Sequence, residues 1–195
     1  MLAGGAVADG RQAEAWAVWQ SRRAALRQGP SGDNEETLFS LSFLLADALS
    51  QQGDAQRERG VYEAALDVLR LPRHQQGLRA AMARRAVRLG AFDEAEAWLA
   101  TCDRHSSDLE SDTAWRIALA TLETARARFE AVLGLLGKEV DDIPIHDAME
   151  GLATLLRCHA RERLGDGLAA VAMLERYMRA VGVDGAEALQ RVAAQ

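Results

Sequence analysis

Arg88-Leu89-Gly90-Ala91-Phe92-Asp93-Glu94-Ala95 is the stretch that decides the fold. A helix-period run from about Gln75 to Leu89 meets the turn Gly90-Ala91, and Phe92 opens a second run that passes Trp98 and Leu99. Glycine is the residue that ends a helix sharply, so this reads as two helices joined by a very short turn. The same punctuation recurs along the chain at Gly53, Gly90, Ala127 and Gly165, in steps of 37, 37 and 38 residues. A fixed period in this range predicts a stack of helical pairs that presents a surface to a partner.

Composition agrees. Aromatic residues make up only 5% of the 195 residues, there are three prolines, and alanine, leucine, glutamate and arginine dominate. These are good helix formers, and long Val/Ile/Thr runs are absent. The predicted class is all-α. Net charge is −6, which argues against nucleic acid, whose partners need a net basic face. Lys138 is the only lysine, so the cations are arginines. Coding bias in a GC-rich bacterial genome explains that; selection for carboxylate or phosphate recognition is the functional alternative.

Cys102 and Cys158 stand far apart with no CxxC pairing, which fits a reducing, cytoplasmic setting. The apolar stretch Met1–Ala8 is too short for a signal peptide or membrane span. It is expected to be a flexible start, with 9–195 forming one domain. A periplasmic domain lacking its anchor, or a piece of a longer protein, stays open.

Asp9 is placed as the cap of a first helix running to Gln28, with Trp16 and Trp19 on its apolar stripe. Gly29-Pro30-Ser31-Gly32 breaks it. Helices are then expected over about Glu35–Gln52, through Tyr62 to Leu69, Gln75–Leu89, Phe92 past Leu99, Thr113–Arg126 after Asp112, Phe129–Leu136, Asp147–Leu164 and Leu168–Ala180. A short terminal helix, Ala186–Ala194, follows Gly182 and Gly185.

The Arg88–Ala95 turn resembles that of a tetratricopeptide repeat, in which glycine closes the first helix, an aromatic follows two residues on and alanine three after that. Gly90, Phe92, Ala95, Leu99 and Cys102 match the family's successive packing positions, with Ala83 on the preceding helix. The other copies depart from the pattern. Glu58 stands where a small residue is expected, Ala127 replaces a turn glycine, and Gly167 replaces an aromatic. The resemblance covers about Asn34–Ala180. It implies a right-handed α-solenoid of about four repeats with terminal capping helices.

In that family the first helix of each pair lines a concave groove. The register implies Ser40, Phe43, Asp47 and Gln51 from the first pair, and Ala80, Arg84 and Arg88 from the second. Ile117, Thr121 and Thr124 come from the third, and Leu155, His159 and Glu162 from the fourth. Phe43, Asp47, Arg84, Arg88, Ile117, Thr121, Leu155 and His159 form the expected partner-binding groove, suited to a peptide or protein with acidic residues. The family's carboxylate clamp for chaperone C-termini is absent, because Phe43 and Asp47 occupy its positions.

No sequence signature of an enzyme is found: no nucleophile elbow, phosphate loop or HExxH occurs. Cys102/His105 and His159/Glu162 are single pairs, short of a metal set. Asp141-Asp142-Ile143-Pro144-Ile145-His146-Asp147 would hold a cation, although capping of the next helix explains it more simply. Arg84 and Arg88 share a helix face, as do Arg157 and Arg161, and nearby acids such as Glu94 and Glu96 would neutralise a merely solvated face. No catalytic residue, metal or cofactor is expected. The leading expectation is a non-enzymatic adaptor or scaffold that binds a protein or peptide, with homo-oligomers possible. The alternative is the sensor or assembly segment of a larger bacterial signalling or transcriptional regulator.

Overall fold

A computed structural model describes residues 3–104, 108–137 and 148–180. Among these the chain is all-helical, and no strand occurs. Helices α1 (Ala3–Gln28), α2 (Gly32–Gln51), α3 (Ala55–Leu66), α4 (Pro72–Arg88) and α5 (Phe92–Ala100) are followed by α6 (Leu109–Ala125), α7 (Phe129–Leu136), α8 (Ala148–Arg163) and α9 (Gly167–Ala180). The terminal helix expected at Ala186–Ala194, the acidic linker Asp141–Asp147, His105, His146 and Lys138 lie outside the described residues.

Several boundaries differ from the sequence reading. Helix α1 begins at Ala3, which puts Asp9 inside it. Helix α4 starts at Pro72 rather than Gln75, since a proline in the first helical position gives up only an N–H that has no helical acceptor. Helix α6 starts at Leu109 because Asp108, not Asp112, is its cap: the Asp108 carboxylate accepts from the Ser111 N–H at 2.9 Å.

The four expected turns share one geometry. Gly53, Gly90, Ala127 and Gly165 have φ of 74°, 73°, 56° and 89°. At each, this residue's N–H bonds to the carbonyl three residues back, and the next residue's N–H bonds to the carbonyl five back. For Gly90 and Ala91 the acceptors are Val87 and Ala86, both at 2.9 Å; for Ala127 and Arg128 they are Thr124 and Glu123, at 3.0 and 2.9 Å. This paired closure satisfies carbonyls that a helix end would otherwise strand. The position five residues past each turn is buried in every case, at Glu58, Ala95, Val132 and Ala170. Seven residues before the turn stand Ala46, Ala83 and Ala120, fully buried, and the half-buried Cys158. Small side chains here let the two arms of a hairpin approach closely.

The chain divides into two compact units, residues 1–82 and 83–195. In the first, α2 packs on both α1 and α3. Leu38, Leu45 and Leu49 form its core stripe and are fully or nearly fully buried, each contributing roughly 1.5–3 kcal/mol of transfer free energy. Val61, Tyr62 and Ala65 are buried on α3. Trp19 is buried, and its Nε1–H donates to the Ser42 hydroxyl at 2.9 Å, tying α1 to α2. Gly77 of α4 lies against the Phe39 ring, where a Cβ would sit only 2.9 Å from two ring carbons.

In the second unit, α6 packs on α5, α7 and α8, and α8 also packs on α7 and α9. A core cluster there joins Ile117, Ala120, Val132, Ala153, Leu156 and Ala160, flanked by Phe129, Leu133 and Leu152. Tyr177 of α9 closes over Gly151 of α8, with its hydroxyl 2.6 Å from where a Cβ would be.

Candidate interaction surface

Ten of the thirteen expected groove residues fall at three register positions relative to each turn, and the structure treats these differently. Two residues before the turn stand Gln51 and Arg88, both exposed. Six before stand Asp47 and His159, exposed, with Arg84 and Thr121 half-buried. Asp47 accepts from Gln51 Nε2 at 2.8 Å, and the Thr121 hydroxyl donates to the Ile117 carbonyl at 2.7 Å.

Ten before stand Phe43, Ala80, Ile117 and Leu155, and here the groove assignment is corrected. Ala80 and Ile117 have no exposure, and Ile117 belongs to the core cluster. Phe43 is half-buried and packs edge-on between Phe39 and Tyr62, at ring separations of 5.0 and 5.8 Å. The cause is helical drift. Four residues advance a helix by about 400°, so two such steps swing a stripe about 80° from its starting direction. A face that looks outward beside the turn has rotated into the packing by two turns further back.

Leu155 departs from this rule. It is 48% exposed at the position where Ala80 and Ile117 are 0%. One turn along α8, His159 is exposed too, with its ring edge-on to Phe129 at 5.6 Å and Nδ1 3.9 Å from Glu162. The guanidinium of Arg163 lies over the same Phe129 ring at 5.4 Å. Leu155 and His159 share one helix face and leave an apolar group beside a titratable one on the surface of the second unit.

Glu94 lies 3.9 Å from the buried Arg85, and Glu96 accepts from Arg126 at 2.6 Å. The Arg126 hydrogen bond and charge hold the Glu96 carboxyl below its ordinary range, and Glu96 in turn raises the Arg126 guanidinium.

Arg157 and Arg161 also differ in role. Arg157 is buried; its Nη1 donates to Glu150 at 2.9 Å, while Nε and Nη2 both donate to the Leu136 carbonyl. Arg161 reaches Asp166 at 3.0 Å. Burial pushes the Cys158 thiol above its usual range, with Arg157 and Arg161 opposing, which leaves little thiolate for nucleophilic chemistry.

In the first unit, His74 and Glu35 are buried ionisable side chains. His74 is 2% exposed and stacks on Phe39 at 4.6 Å, with Nε2 3.0 Å from Glu36 and Nδ1 3.7 Å from Glu35. Glu35 accepts from the Arg70 and Leu71 N–H groups at 3.0 and 2.9 Å, so it closes the start of α4 from across the hairpin. The pairing is long-range in sequence, and no local motif announces it. Among the described residues, no group of three or more His, Cys, Asp and Glu side chains is placed to hold a metal ion. No helix among them is long and apolar enough to cross a membrane.

No family model, no curated protein and no solved structure matches this chain.

Proposed function

We propose that this chain is a non-enzymatic interaction module built from four copies of one tetratricopeptide-like helical hairpin, and that it docks a protein or peptide. The common turn geometry at Gly53, Gly90, Ala127 and Gly165 supports descent of the hairpins from a single repeat. A docking role rests on one observation: Leu155 stands exposed at a register position that two other hairpins bury, at Ala80 and Ile117. With His159 one turn away it offers an apolar contact flanked by a polar one, the mixture typical of peptide-binding helical faces. Arg84 and Arg88 on α4 add cationic contacts for acidic side chains of the partner.

The test compares affinity capture from the source organism's lysate by the wild type and by a Leu155→Glu/His159→Glu variant. Both positions are exposed, so the variant is expected to keep its fold, which circular dichroism and thermal unfolding check. The proposal expects a protein retained by the wild type and lost by the variant. Equal retention by a folded variant would remove α8 from the docking surface.

A further inference from the structure

We draw no further inference here: the strongest candidate, the outer face of α9, where Leu168 is 89% and Val171 56% exposed although the position of Leu168 carries Gln56, Asp93 and Glu130 in the other hairpins, is an apolar face for which nothing in the structure shows what covers it.

Discussion

Arg157 donates two hydrogen bonds, from Nε at 2.9 Å and Nη2 at 2.7 Å, to the single carbonyl oxygen of Leu136. That carbonyl ends α7, so a side chain of α8 caps the helix before it. The remaining charge is met by Glu150 at 2.9 Å, and Thr154 donates to the same Glu150 oxygen at 3.3 Å. Both ionic partners are almost fully buried, which makes the pair costly to break on one side.

Arg157→Met is therefore expected to lower the unfolding free energy by about 3–5 kcal/mol, because it strands a buried carboxylate and uncaps α7. Adding Glu150→Leu should recover most of the loss and leave a deficit of about 1 kcal/mol for the uncapped carbonyl. Urea titrations of the two single variants and the double variant read this directly. Simple additivity of the single losses would mean that the pair does not act as a unit.

The four turns make opposite predictions according to residue. Ala127 holds φ of 56°, a conformation that alanine resists and glycine adopts freely. Ala127→Gly should raise stability by about 1 kcal/mol, and Gly90→Ala should lower it by about the same amount. No atom stands near a Cβ at Gly90, so that loss would be purely conformational. Thermal unfolding of both variants is sufficient; a shift in the same direction for both would contradict the shared geometry.

Two helical glycines with close neighbours should respond differently. A Cβ at Gly77 would meet the Phe39 ring, which is pinned by His74 on its face and by Phe43 at its edge. Overpacking of this kind costs about 1–3 kcal/mol, against a helix-propensity gain of at most about 1 kcal/mol. Gly77→Ala should be destabilising. At Gly151 the obstacle is the tip of a half-buried tyrosine that can swing away, so Gly151→Ala should be neutral or slightly stabilising. Midpoints of denaturant unfolding distinguish the two.

The Glu96–Arg126 pair gives a pH dependence. Glu96 titrates lower in the folded chain than in the unfolded one, so its contribution is present above the unfolded value. It disappears as pH falls through the folded value. The melting temperatures of wild type and Glu96→Gln should therefore differ at neutral pH and converge in acid. The difference is expected to be small, because this carboxylate is exposed and solvent screens it. A gap that widened in acid would reverse the assignment.

Much of this architecture is written locally. Turn glycines, their spacing and the small residues beside them depend on contacts within one hairpin, and Gly53, Gly90 and Gly165 fall where the chain alone puts them. Ala127 was legible from its interval, although alanine disfavours the conformation it holds. What stayed hidden is long-range. Glu35 reaches amides 35 and 36 residues away, and Arg157 reaches a carbonyl 21 residues back. On the candidate surface, Gln51 and Arg88 beside the turns are exposed, whereas Phe43 is half-buried and Ile117 fully buried. A stripe counted in fours drifts around a helix, and only the packing decides when it passes from surface to core.

Hydrogen exchange of the chain alone and in complex with the partner recovered by wild-type capture tests the docking account most directly. Slowed exchange across residues 148–163, abolished by Leu155→Glu/His159→Glu, is the predicted result. Protection confined to other helices, with α8 unchanged on binding, would contradict it.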